Sequence, residues 1–321
     1  MKVGFIANFQ SGYVGEQADE VHITREIEEL GHEVFRIPRD QWREYVLENS
    51  PQDKYKDVPE DIKLDICIFT KWHHFDDDRY INFAREKYKC PIFLWVWDYM
   101  QNEGWHITMV GACDLYLGND VRSGVYKQYN NCYYFPFDVA DGELPRFQTV
   151  EKVYDVTFFG SWLDQGDRRE WLTEINKTTP IKVFSWNYKD WPKEFNAQPA
   201  VYGIEFNQKV AESKIVLGFS VEPNCWGYWS NRVGKTLLAG GFLLYQYAPG
   251  MELFLRDGVE YFSSIEEARE KIDHFLIADI EREEVARKGR KIAERFSSKA
   301  RVKDLMILCE RYLKKGAKWQ I

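Results

Sequence analysis

Short apolar runs alternate with helix-patterned stretches along this chain, twice over, and that alternation limits the fold more than any other feature. In the first half the runs fall at 2–7, 33–37, 65–69, 91–96, 114–117 and 132–135, with helical patterns at 18–30, 77–88 and 121–129. In the second half they fall at 155–159, 181–184, 200–202, 214–219, 242–245 and 259–262. Helical patterns there cover 168–175, 206–212, 233–239 and 251–255, then 265–276, 280–295 and 299–314. Continuous apolar runs suit strands buried on both faces, and strands alternating with helices predict an α/β fold with parallel sheets. At 321 residues the chain is long for one core, so two Rossmann-like domains are expected. The aperiodic stretch 136–153 places the boundary, giving domains 1–145 and 146–321, with the C-terminal helices in the second. The stretch 38–61 is polar and Pro-marked, and no element is assigned to it.

In such sheets ligands sit beyond the carboxyl ends of the strands. One strand-to-helix passage stands out there, Trp226 to Gly250. Ser230 or Asn231 suits an N-cap, Val233 to Ala239 a short helix, and Gly240-Gly241 its end. Arg232 and Lys235 lie three residues apart, so they share a face near the helix start. Cations there oppose the helix dipole, an arrangement that makes sense if an anion such as a diphosphate binds. A solvated helix start with two surface cations is the plainer alternative.

Bulk properties exclude several classes. The formal net charge of -8 argues against a nonspecific nucleic-acid surface. Six cysteines, at 67, 90, 113, 132, 225 and 309, form no Cys-x-x-Cys pair and are expected as reduced thiols in a cytoplasmic protein. The chain enters a strand at Lys2 with no signal-like segment, and no apolar run is long enough to span a membrane. His73-His74 with Asp76-Asp77-Asp78 looks metal-like, but adjacent histidines cannot share a strand face, and no metal is expected.

A hydroxyl nucleophile needs a base, and Asp98 ends a buried strand at the ligand-bearing edge. Glu16, Glu20 and His22, after the first loop, are weaker candidates, and His106 weaker still. Gly12 gives that first loop backbone freedom. Trp95 and Trp97 alternate on one strand face and are expected in the core. Trp162, Trp186, Trp226 and Trp229 sit at loops, where stacking on a flat ligand is plausible.

Several motifs occur in a telling order: Phe-Phe-Gly-Ser-Trp at 158–162, Arg168, Asn-Arg-Val-x-Lys-x-Leu-x-Ala-Gly-Gly-Phe-Leu-Leu at 231–244, Pro-Gly-Met-Glu at 249–252 and Asp-Gly-Val-Glu-Tyr-Phe at 257–262. Together they resemble the GT-B glycosyltransferases, in particular the group with the spore-maturation protein CgeB and related "glycosyl transferases group 1" sequences. The likeness is best over 154–296. It implies two Rossmann-like domains facing a cleft, acceptor on the N-terminal one and nucleotide-sugar donor, a UDP-sugar, on the C-terminal one. Gly160 and Ser161 would meet the diphosphate or sugar, and Arg168 and Arg232 would neutralise phosphate. Ser185-Trp186 and Gly203-Ile204-Glu205 would hold base and ribose. Ser230, Asn231, Lys235 and Gly12 complete the expected donor contacts, and Asp98, Glu16 and His22 the candidate catalytic set. Many members carry Glu where Lys235 stands. No cofactor or metal is obligatory in such transfer. The acceptor would be a glycan, a small molecule or modified DNA, as in phage enzymes that glucosylate hydroxymethylated bases. A non-catalytic binding module is the remaining alternative.

Overall fold

The computed structural model describes residues 1–9, 19–48, 55, 57–60, 62–70, 77–98, 104–121, 124–136, 150–164 and 166–315. It divides into two compact units, Met1–Ala140 with Ser298–Ile321, and Asp141–Ser297.

The first unit holds β1 (Lys2–Ala7), α1 (Asp19–Glu29), β2 (Glu33–Pro38), α2 (Arg39–Glu48), β3 (Ile66–Thr70), α3 (Arg79–Tyr88), β4 (Ile92–Val96), α4 (Gly104–Ala112), β5 (Leu115–Gly118) and β6 (Cys132–Tyr134). The strands pair in parallel in the order β2-β1-β3-β4-β5-β6. Both faces of the sheet are apolar, so each needs a helical layer. Trp42, Tyr45, Tyr80, Ile81, Met109 and Val110 cover one face. Ile23 and Ile27 cover the other, beside Val302, Leu305, Met306 and Cys309 of the chain's last helix, Ser298–Lys315.

That last helix corrects the expected division. It was placed with the second half, but its apolar stripe completes the first unit's core. The expected boundary near 145 lies outside the described residues. Two helices were also missed. Arg39–Glu48 lies in the polar stretch to which no element was assigned, yet its Trp42 and Tyr45 are buried one turn apart. Gly104–Ala112 was not anticipated, and the helix expected at 121–129 is a short 3-10 turn at Gly124–Gln128.

The second unit holds β7 (Tyr154–Phe159), α5 (Arg168–Asn176), β8 (Ile181–Ser185), β9 (Gln198–Pro199), α6 (Gly203–Ala211), β10 (Ser213–Gly218), α7 (Asn231–Leu238), β11 (Leu243–Gln246), α8 (Met251–Leu255), β12 (Glu260–Phe262), α9 (Ile265–Ile277) and α10 (Asp279–Ala293). Its strands are also parallel, in the order β12-β11-β10-β7-β8-β9. The order reverses between β10 and β7. Crossovers there leave on opposite faces and open a crevice at the strands' carboxyl ends. Both α7 and the turn before β12 meet α10 closely: a Cβ on Gly289 of α10 would lie 2.8 Å from Leu237 of α7 and 2.4 Å from the Gly258 carbonyl oxygen of that turn.

Candidate functional site

The crevice between β7 and β10 is a pocket. Phe158 and Phe159 line it from β7, and Leu217, Gly218 and Phe219 from the end of β10. Arg168 enters from α5, and Ser230, Arg232, Val233 and Thr236 from the start of α7. Ser230 is the N-cap of α7 in extended conformation and its hydroxyl does not cap the helix. The start of this eight-residue helix faces the pocket, with the Val233 amide returning to the Ser230 carbonyl at 3.0 Å. The helix stops as the sequence suggests, with Gly240 at φ 80° and the Gly241 amide returning to the Thr236 carbonyl at 2.9 Å.

Arg168 is the unusual group. It is 2% exposed, and its guanidinium donates to the Phe219 carbonyl at 3.4 Å. Its Nε has no acceptor, and among the described residues no carboxylate pairs with it. Burial, reinforced by Arg232 nearby, lowers the guanidinium to about 10, still a cation at neutral pH. A buried, unpaired cation is costly unless an anion completes it. Arg232 is exposed and adds a second positive charge to the lining, which contains no carboxylate. Asn231 and Lys235 are half-buried on the same helix.

Beside the pocket, the ends of β7 and β8 are latched together. The Gly160 amide donates to the Phe184 carbonyl at 3.1 Å, and the Trp162 amide to Asn187 Oδ1 at 3.2 Å. The Ser185 hydroxyl donates to the same Oδ1 at 2.7 Å. The Trp186 indole donates to Ser161 Oγ at 2.5 Å while 64% of the residue stays exposed. Gly160, Ser161 and Ser185 are buried, so Trp186 is a fixed aromatic surface on a rigid edge.

Other expected residues fall differently. Gly203, Ile204 and Glu205 were expected to precede a helix, but they form the first turn of α6, with Ile204 and Glu205 exposed. Among the loop tryptophans only Trp186 is exposed enough to stack. Trp229 is wholly buried against Phe254 and Phe296, Trp226 packs on Phe254 and over Gly250, and Trp162 packs on Trp191 at 4.7 Å. Gly12 and Glu16 lie outside the described residues, as do His73, His74 and Asp76.

In the first unit, Asp98 is half-buried just past β4, at the strand's carboxyl end. Trp95 and Trp97 are buried and meet edge-on at 5.4 Å, as their alternation predicted. His22 is half-buried on α1, two residues after buried Glu20 and so on a different face of the helix. His106 is wholly buried, with Nδ1 3.0 Å from the Tyr126 hydroxyl, so it serves the core rather than a reacting group. The Tyr126 and Tyr116 hydroxyls reach the Asp120 carboxylate at 3.3 and 2.9 Å. Burial and that carboxylate push both phenols well above their ordinary range. No local pattern marks this network, because His106 sits in a helix, Tyr116 in an apolar strand and Asp120 just past that strand, and only the fold brings them together. Gly218, Thr236 and Tyr245 were likewise missed in the pocket lining; a glycine closing a buried strand was the one available signal. All but one of the six thiols are buried, and burial lifts Cys90 to about 12.

Residues 165–307 match the family model described as glycosyl transferase-like. No curated protein matches the chain. Among solved structures, HepE of Anabaena, in complex with UDP and glucose, aligns at a TM-score of 0.63 and 12% identity, covering 97% of this chain and 100% of that one. An α-glucosyltransferase in complex with UDP-glucose and DNA containing an abasic site aligns at 0.65 and 12%, covering 97% and 99%. Sucrose-phosphate synthase from Thermosynechococcus elongatus aligns at 0.64 and 9%, covering 98% and 99%. At these identities the likeness speaks for fold. Arg168, Arg232 and the pocket lining other than Phe158 and Phe159 lie inside the matched segment, and Asp98 lies before it. The chain has the GT-B fold of these glycosyltransferases, and its residues 165–307 form a glycosyl transferase-like segment.

Proposed function

We propose that this protein transfers a sugar from a nucleoside-diphosphate-sugar, of the UDP-glucose kind, to a hydroxyl acceptor. The observation that carries the reading is Arg168, a buried guanidinium with no carboxylate partner among the described residues, beside the start of α7. Negative charge develops on the diphosphate as the glycosidic bond breaks, and preplaced cations and amides stabilise it without reorganising. Arg168 and Arg232 supply the charge, while Ser230, Asn231 and the α7 amides supply donors. Lys235 extends the cationic face along the same helix. Gly160 and Ser161 bring backbone and hydroxyl close to the same anion. Trp186 offers a face to the base, and the first turn of α6 at Gly203, Ile204 and Glu205 offers amides to it. Asp98 takes the acceptor's proton, with His22 and Glu16 as the alternatives. Gly12 belongs to the same acceptor-side loop as Glu16. The order of the motifs at 158–162, 231–244 and 257–262 favours a place among the CgeB-like members.

Calorimetric titration with UDP, UDP-glucose and other nucleotide sugars tests this reading. Binding at one site, lost in Arg168→Met, is expected; equal affinity in wild type and Arg168→Met rejects the site. A second reading keeps the reaction and makes modified DNA the acceptor. It is favoured by the likeness to the α-glucosyltransferase bound to DNA and to the DNA-modifying β-glucosyltransferase, the latter at a TM-score of 0.58 and 14% identity. A mobility-shift assay on hydroxymethylated and plain duplexes, at two salt concentrations, decides it; no salt-sensitive shift with either duplex removes it.

A further inference from the structure

We propose that Asn119 is a positioning residue for Asp98, an inference that rests on the transfer reaction proposed above. Strand β4 ends at Val96, whose register partner is Gly118, the last residue of β5. The next carbonyl on β4's path, that of Trp97, lies past this last backbone pair. Asn119 follows Gly118 directly, is wholly buried, and donates from Nδ2 to the Trp97 carbonyl at 3.3 Å. The side chain thus adds one rung to the ladder beyond its backbone end. That rung holds the peptide joining Trp97 to Asp98, so it fixes the plane from which the Asp98 side chain departs.

The donor is itself held. The residue after Asn119 is Asp120, whose buried carboxylate accepts from Tyr116 at 2.9 Å and Tyr126 at 3.3 Å, with His106 behind Tyr126 at 3.0 Å. None of these four side chains is more than 1% exposed. On the acceptor side of the rung, the Trp97 ring is locked edge-on against Trp95. Asp98 alone emerges, half-buried, from this rigid surround. A base must sit within hydrogen-bond reach of its proton, and misplacement by about 1 Å costs roughly 10²-fold in rate.

The test compares Asn119→Leu, which keeps volume and removes the donor, with Asn119→Ser and Asp98→Asn. Turnover is read as UDP release from UDP-glucose, and donor binding as UDP affinity by calorimetry. Asn119→Leu is expected to slow turnover about 10–100-fold with UDP affinity unchanged, and its crystal structure to show the Trp97–Asp98 peptide displaced. Asn119→Ser, which keeps a shorter donor, is expected between Leu and wild type; it carries the same comparison if the Leu variant does not fold. Wild-type turnover in Asn119→Leu beside a dead Asp98→Asn overturns the positioning role and leaves the base. Wild-type turnover in Asp98→Asn removes the base and the proposal together. Loss of UDP affinity in Asn119→Leu, or an undisplaced peptide in its crystal whatever the turnover, also overturns it.

Discussion

The two units share a six-stranded parallel sheet, yet their carboxyl edges carry opposite chemistry. In the second unit, Arg168 is buried beside the switch between β10 and β7 with no carboxylate partner among the described residues. In the first, the buried Asp120 carboxylate just past β5 is completed by two phenols. One edge is left electrostatically unfinished and the other is finished internally. An unfinished buried charge points to a ligand. A finished one points to rigidity, which serves whatever stands on top of it. The same scaffold therefore separates binding from positioning through a few residues just past its strands.

The sharpest way to break this comparison is Asp98→Asn, which keeps shape and removes the base. A general base contributes about 10²–10⁴ in rate, so UDP release should fall by that factor while UDP affinity holds. An unchanged rate moves the base to His22 or Glu16.

Next in size is Arg168→Met. UDP affinity is expected to fall about 100-fold, the loss of one charge-assisted contact of roughly 3 kcal/mol. The unliganded protein should melt a few degrees higher, because an unpaired buried cation is replaced by an apolar group of similar length. The proton linkage has a definite sign. Arg168 sits at about 10 folded, below its ordinary value in the unfolded chain, so its burial costs stability in full below about pH 10, and the cost fades as pH rises above it. UDP affinity should run the other way, falling as pH climbs through 10 and the cation is lost. Differential scanning calorimetry with and without UDP checks both.

Tyr116→Phe is the mirror image in the first unit. It strips one donor from the buried Asp120 carboxylate and should destabilise by about 1–3 kcal/mol, with no change in UDP affinity. If Tyr116→Phe and Arg168→Met move the melting point in the same direction, the contrast between the edges fails.

Much of this was legible beforehand, and the exceptions are instructive. Strands such as Ile92–Val96 and Ile66–Thr70 are continuous apolar runs, which only a doubly covered sheet accommodates. Arg39–Glu48 hid because charged residues surround its buried Trp42 and Tyr45, masking a narrow apolar stripe. The last helix was readable as a helix but not as the first unit's property, since amphipathicity says that a face is buried and not against what. At the site, α7 was readable from Ser230 and Arg232 at its start and Gly240 just past its end. Burial of Trp229 was not: a tryptophan in a loop has the same local sequence whether it faces a ligand or, as here, Phe254 and Phe296.

The smallest expected effect is that of Arg232→Ala, and it separates the two arginines. Arg232 is exposed, so water and salt screen its charge, whereas Arg168 acts from the interior. Arg232→Ala should weaken UDP binding about 3–10-fold at low salt, and the deficit should shrink as ionic strength rises past 0.15 M. The deficit of Arg168→Met should persist across the same range. Melting should be nearly unaltered in Arg232→Ala, since nothing buried loses a partner. Titrations of both variants at several salt concentrations resolve the point. A salt-independent loss for Arg232 would mean that it folds over the bound diphosphate and leaves water, and the pocket would then hold its ligand with two interior cations instead of one.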